Sequence, residues 1–282
     1  MTWEILLAVS LCSYSIAVLL QRLILKENKS HPIAYSIITP MVAGLILSTA
    51  FLFKGIPVEL LLTFWPNLLL MVLLYGASNI FTYKALKYTE ASTFTILNAS
   101  RALWSVSAAI IVLNEAFGLK QIFGTILVVL SVILASWKGQ KIRFSKGEVF
   151  TLVAAFAFGV EFINDAYLLR YFDAFVYLPI AFVVPTIGVW AIYPKATQPI
   201  LAVLKSRTIW KVILLGSLYA ISAGTIFLAY QVGRNAAQIA PINETSTILI
   251  VFLAAIFLKE RKRLFAKVLA AGISFLGVYL IK

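Results

Sequence analysis

Stretches of about 20 mostly apolar residues, long enough for a helix to cross a lipid bilayer, recur along almost the whole 282-residue chain. In lipid the backbone must satisfy its own hydrogen bonds, so each stretch is expected to be a helix. Spans are predicted near 3–24, 33–53, 66–87, 91–113, 119–137, 148–169, 174–193, 208–231, 237–258 and 264–281, with 57–65 as an interfacial lead-in. The composition agrees: 62% of residues are hydrophobic and 12% charged, whereas soluble domains run near ~45–50% and ~25%. The connections are too short to hold a soluble catalytic domain. Trp3, Trp65, Trp137, Trp190 and Trp210 fall at predicted span ends, where an indole keeps its ring in lipid and its N–H at the headgroups, and Trp104 alone lies mid-span. The first span has an acidic Glu4, no Lys or Arg ahead of it and no small-residue cleavage pattern, and is expected to be retained as a helix.

The chain also repeats itself. Trp3-Glu4 corresponds to Gly147-Glu148, Tyr75-x-x-Ser78 recurs as Tyr219-x-x-Ser222, and Leu113-x-Glu115 recurs as Leu258-x-Glu260. The common spacing, about half the chain, points to duplication. Five helices are an odd number, so the second copy must enter the membrane from the opposite side, giving an inverted pair. The fold class expected is an all-α integral membrane protein of ten transmembrane helices in two inverted five-helix repeats, 1–137 and 148–282, joined by a basic linker at 138–147.

Charge sets the expected orientation. The chain carries 24 Lys+Arg against 11 Asp+Glu. Eighteen of those cations lie in the connections 1–2, 3–4, 5–6, 7–8 and 9–10 or at the span ends beside them, and five in the other connections and the C-terminus. Positive-inside reasoning places the first set in the cytoplasm and both termini outside, at an inner or plasma membrane. The basic balance is thus a membrane feature, and no nucleic-acid partner is expected. Cys12 and His31 are the only residues of their types, which excludes a disulfide framework and a Cys/His metal centre. Cys12 is read as a packing residue in an apolar run.

Two segments carry a family resemblance, LNEAFGLKQIFGTILVVLSVIL (113–134) and LKERKRLFAKVLAAGISFLGVYLI (258–281). They resemble the ending of each repeat in the EamA-like transporters of the drug/metabolite transporter superfamily, with Glu115 and Glu260 at its glutamates and Gly124 and Gly277 at its glycines. Asn114 and Lys259 stand where that family usually has glycine before the glutamate, and Ser131 and Ala270 replace other glycines. The resemblance implies a carrier of small metabolites, often amino acids or other polar compounds, usually exported without ATP. No cofactor is implied, and no nucleotide-binding loop is present.

Polar residues inside the spans are the candidates for function, because a charge at mid-membrane costs roughly 2.5–3.5 kcal/mol and is normally turned inward. In span 4, Thr95, Asn98, Arg101 and Ser105 share a helix face, and Arg101 is either a bidentate contact for a carboxylate or phosphate or a structural ion pair. Glu161, Asn164 and Asp165 share a face of span 6; Glu161 reads as a proton carrier or a fixed counter-ion, Asp165 as a snorkelling or capping group. Span 9 contains APINETSTILIV, where Pro241 precedes Asn243, Glu244, Thr245 and Ser246; the helix is either opened around a site or only kinked. Tyr75, Ser78, Asn79 and Thr82 line a face of span 3, and Tyr219, Ser222 and Tyr230 one of span 8, either toward the central space or buried against neighbours. Pro40, Pro179 and Pro185 lie in spans 2 and 7.

The substrate-binding set expected is Tyr75, Asn79, Asn98, Arg101, Trp104, Glu161, Tyr219, Asn243 and Glu244, with no catalytic and no metal residues. Arg101 is expected within reach of Glu161 or Glu244. The leading function is a secondary transporter moving small polar metabolites by alternating access, with the bilayer and a metabolite as partners, protons as a candidate third, and monomer and homodimer both open. An integral-membrane enzyme and a membrane scaffold are the alternatives.

Overall fold

The computed structural model describes residues 2–26, 30–55, 58–113, 118–137, 144–233 and 245–281. Its elements are α1 (Trp3–Lys26), α2 (Pro32–Leu47, continued by short turns to Lys54), α3 (Val58–Thr63), α4 (Trp65–Tyr88), α5 (Ala91–Asn98), α6 (Arg101–Leu113), α7 (Leu119–Ser136), α8 (Lys146–Leu168), α9 (Ala174–Ile192), α10 (Thr197–Leu204), α11 (Thr208–Gly233), α12 (Ser246–Phe257) and α13 (Leu264–Ile281). The protein is all-helical among the described residues. Six helical segments, in α1, α2, α4, α8, α9 and α11, are long and apolar enough to cross a membrane, and α7, α12 and α13 contain shorter apolar segments. Short α3 and α10 sit ahead of α4 and α11, in keeping with the lead-in read at 57–65.

Packing follows the duplication. α4 packs on α8, and the repeat-related pair α11 packs on α1; α6 packs on α8, as α12 does on α1; α2 meets its own counterpart α9, and α7 meets α13. The two self-related pairs run antiparallel. Arg263, just before α13, donates to the carbonyl of Leu134 near the end of α7 at 3.1 Å. Near the other end of α13, Gly277 lies so close to Val128 and the Gly124 carbonyl that a Cβ would meet them at 2.8–2.9 Å. Small residues are what allow two apolar helices to approach this far in lipid. Lys54 after α2 lies 2.5 Å from Asp173, the cap of α9, and its ammonium holds that carboxyl below the usual carboxylate range. Antiparallel counterparts are what an inverted repeat requires and what a direct repeat would not produce.

Helix ends are closed locally. The Nδ1 of His31 accepts from the Ala34 N–H and caps α2, which gives the lone histidine a structural task. Ser145 and Glu148 form a capping box at α8. Trp65, Trp137, Trp190 and Trp210 are exposed at or near helix ends, as an aromatic belt demands. Cys12, read as a packing residue of its apolar run, is exposed on α1.

Candidate functional site

Span 4 is not the continuous helix expected. It breaks at Ala99 and Ser100, and α6 starts afresh at Arg101. The three residues before Arg101 are Asn, Ala and Ser, two of which compete with the backbone for its hydrogen bonds. The chain tightens there into i→i+3 bonds, with Leu103 N–H donating to Ser100 O at 3.0 Å. The second half does the same 145 residues on: α12 begins at Ser246, and Ile248 N–H donates to Thr245 O at 3.0 Å. Two helices, α6 and α12, therefore begin in repeat-related places.

Between these starts lies a cavity of about 10 Å³, lined by Tyr14, Thr95, Asn98, Arg101, Ser246 and Thr247, with Ala99 completing the wall. It has room for about one water molecule. The guanidinium of Arg101 lies 5.1 Å from the centre of the Phe158 ring on α8, a cation–π placement that holds its plane. The Arg101 guanidinium, beside the hydroxyls of Thr95, Ser246 and Thr247, gives this place a positive charge suited to an anionic group.

Around this centre, side-chain contacts repeat by exchange of the halves. Tyr75 on α4 donates to the Asp165 carboxylate on α8, and Tyr219 on α11 donates to the Gln21 side chain on α1. The rings match too: Tyr75 meets Phe158 edge-on at 5.6 Å, and Tyr219 meets Tyr14 edge-on at 6.3 Å. Positions 75, 158 and 165 correspond to 219, 14 and 21 at one constant offset. Both tyrosines are thus equivalent and tie helix pairs together. Asp165 also accepts from Tyr177 of α9, so it is an acceptor for two buried hydroxyls and not the snorkelling or capping group expected.

One cluster has no counterpart. The Glu161 Oε1 accepts from Asn164 at 2.8 Å, and Asn164 exchanges two hydrogen bonds with Asn67, at 2.7 and 3.0 Å. Glu161 is fully buried, and its Oε2 has no hydrogen-bond partner among the described residues.

A second buried carboxylate closes one end of the bundle. Glu260 accepts from the backbone N–H groups of Ala91 and Ser92 at 3.2 and 3.3 Å, from the Ser92 hydroxyl at 3.1 Å and from Arg22 Nε at 3.5 Å. It caps α5, a helix of the other half. The Nη1 of Arg22 donates to the carbonyls of Leu86 and Lys87 at 2.6 and 3.0 Å, closing the end of α4. Lys267 pairs with Glu90 and donates to the Ser92 hydroxyl at 2.9 Å. Lys259 reaches φ +55°, the left-handed region that glycine favours, as does Arg263. A lysine thus holds the left-handed turn directly before Glu260. Beside this cluster opens a cavity of about 340 Å³, whose charged lining comprises Arg22, Glu90, Glu148, Lys262, Arg263 and Lys267.

Of the residues expected to bind substrate, Asn98 and Arg101 line the central cavity. Tyr75, Tyr219 and Glu161 lie in the helix contacts beside it. Trp104 is 40% exposed and edge-on to Phe156, on an outer face. Asn79 is half-buried on α4. Asn243 and Glu244 lie outside the described residues, as do Glu115 and most of the linker. Of the two acids expected within reach of Arg101, Glu161 accepts from Asn164, and Glu244 lies outside the described residues. Ser105, read as sharing Arg101's inward face, donates to the Gly159 carbonyl at 3.0 Å across the contact of α6 with α8. Sequence reasoning missed Tyr14 and the cap role of Arg22; the match of Tyr14 to Phe158 at the repeat offset was the available signal for the first.

Two inverted halves, a helix broken beside a half-buried arginine and buried carboxylates describe a membrane transporter. The sequence pattern of the EamA-like transporter family matches residues 1–137 and 145–282, and the chain belongs to that family. The family is one of transporters and not of enzymes. No curated protein matches at a significant level. A solved structure described only as a crystal structure of a protein is similar over 97% of this chain and 96% of its own, with a TM-score of 0.59 at 13% identity, a likeness of fold alone.

Proposed function

We propose that this transporter carries small polar metabolites bearing a carboxylate, amino acids among them, by alternating access between its two halves. One observation carries the reading: α6 and α12 both begin at the cavity that holds Arg101, Asn98, Ser246 and Thr247. A carboxylate there would gain the planar fork of the guanidinium and the hydroxyls of Ser246 and Thr247. Neutral hydroxyl and amide groups beside it suit the polar remainder of a metabolite. The small volume fits a conformation closed around the centre, and rocking of one half against the other would open it. Export is the direction favoured by the family resemblance.

Counterflow in proteoliposomes tests the reading, with labelled amino acids offered singly. Arg101→Gln is expected to abolish carriage of carboxylate-bearing solutes while the protein remains folded, and Arg101→Lys to retain a fraction, because it keeps the charge and loses the fork. Transport by Arg101→Gln at the unmodified rate would overturn it. The ten-span topology, with basic connections in the cytoplasm of the cell that holds it in its plasma or inner membrane, belongs to the same reading. It is supported by the gathering of Arg22, Lys262, Arg263 and Lys267 at one end of the bundle. In a Cys12→Ser background, an impermeant thiol reagent on intact cells is expected to label Glu59→Cys and not Lys262→Cys; the reverse would invert the orientation.

A further inference from the structure

We propose that Glu161 is a proton-binding site of this transporter, carrying its proton in the conformation described and releasing it when the halves rock and admit water. The proton site stands on the geometry of Glu161 itself, and only its coupling to solute rests on the transport reading above.

Glu161 is fully buried; Oε1 accepts one hydrogen bond, from the neutral amide of Asn164, and Oε2 accepts none from the described residues. An ionised carboxylate has about four acceptor sites, and burying it with one amide donor leaves the charge uncompensated. Bound to a proton, the same group is neutral and can be buried in this way. Each helix packed on α8 brings its own groups. From α4 come Tyr75 and Asn67; Tyr75 donates to Asp165, and Asn67 is engaged with Asn164. From α6 comes Arg101, whose guanidinium lies over Phe158. α5 contributes no charged side chain. Tyr177 of α9 also donates to Asp165. On α8 itself the nearest acid is Asp165, one turn away, and it receives both tyrosine hydroxyls. Of two neighbouring acids, Asp165 therefore holds the negative charge and Glu161 the proton, since two adjacent buried anions would repel.

The repeat removes the structural alternative. At the offset that pairs Tyr75 with Tyr219, Glu161 corresponds to Ala17 and Asn164 to Leu20. The equivalent contact of α1 with α11 closes with an alanine and a leucine in these places, and Ala17 is fully buried. Packing of this helix pair has no need of an acid, so Glu161 is present for its chemistry. The step is simple in balance: the carboxylic acid yields a carboxylate and a proton that passes to water on the side then open, and the carboxylate takes a proton from the other side on return. Phe158, one turn before Glu161, touches both Arg101 and Tyr75, so a solute that moves Arg101 presses on the helix that carries the acid.

Infrared spectroscopy of the full-length protein in lipid nanodiscs tests the site without any solute. At neutral pH, where exposed carboxyls are ionised, a carboxylic C=O stretch sensitive to deuterium exchange is expected. It should vanish in Glu161→Gln, shift in frequency in Glu161→Asp and persist in Asp165→Asn. Glu161→Asp keeps the test open if the glutamine variant fails to fold. A band that survives Glu161→Gln, a band lost only in Asp165→Asn, or no band at all would overturn the proposal. A band that behaves as expected, in a protein that carries none of the amino acids offered in counterflow, would sink the transport reading and leave the proton site standing.

Discussion

Glu260 and Glu161 are both buried carboxylates in a membrane protein, 7% and 0% exposed, and their surroundings are opposite. Glu260 sits at one end of the bundle among four donors, one of them an arginine, and ties the second half to the start of α5 in the first. Glu161 lies in the α8 contact with one amide donor and a free oxygen. A buried carboxylate with a full set of donors is a permanent charge that locks structure. One that lacks them is stable only when neutral, and is therefore able to switch. The comparison teaches that partner count, and not depth or residue type, separates the clamp from the switch.

The comparison can be broken by substitution, and the largest effect belongs to Glu260. Glu260→Gln leaves Arg22 buried beside a neutral group and weakens the cap of α5, and a loss of about 3–5 kcal/mol in unfolding free energy is expected. Denaturant unfolding in detergent measures it. Adding Arg22→Met should recover part of the loss, because the orphaned charge is then gone. A loss below about 1 kcal/mol in the single variant would remove the clamp from the comparison.

A smaller effect of opposite sign is expected next door. Lys259 holds a left-handed backbone at φ +55°, which costs a non-glycine residue about 1 kcal/mol or somewhat more. Lys259→Gly should stabilise by up to about that amount, less the extra entropy glycine has in the unfolded chain. A clear destabilisation would mean that the lysine side chain contributes more than the turn costs.

The smallest effect is expected at the switch. Glu161→Gln replaces a protonated acid with a neutral group of nearly the same shape, so the same unfolding measurement at neutral pH should move by less than about 1 kcal/mol. A loss as large as that of Glu260→Gln would show Glu161 to be a second clamp.

Much of this was legible in the sequence. The apolar spans and the duplication follow from length and period, which are local or additive properties of the chain. Asn98 and Arg101 were legible as polar residues that a span must turn inward. The break at Ala99 and Ser100 was not, because apolar residues on both sides sustain a continuous helical pattern and Asn and Ser weaken a helix without fixing where it yields. Trp104 was misleading for the same reason: a mid-span indole reads as central, yet the helix rotation set by packing turns it outward.

What the sequence by itself determined is that the chain crosses a membrane in two related halves, since lipid leaves its apolar runs no other way to satisfy their backbone. What only the tertiary structure decided is the partner of each buried polar group: that Tyr75 bonds Asp165 as Tyr219 bonds Gln21, that Glu260 finds Arg22 and the start of α5, and that Glu161 finds Asn164. The physical reason is that burial needs only the apolar pattern of one segment, whereas a hydrogen bond needs two groups within about 3 Å and correctly aimed. These partners lie 64 to 238 residues apart in sequence where they join different helices at the clamp, and no segment taken alone contains that distance.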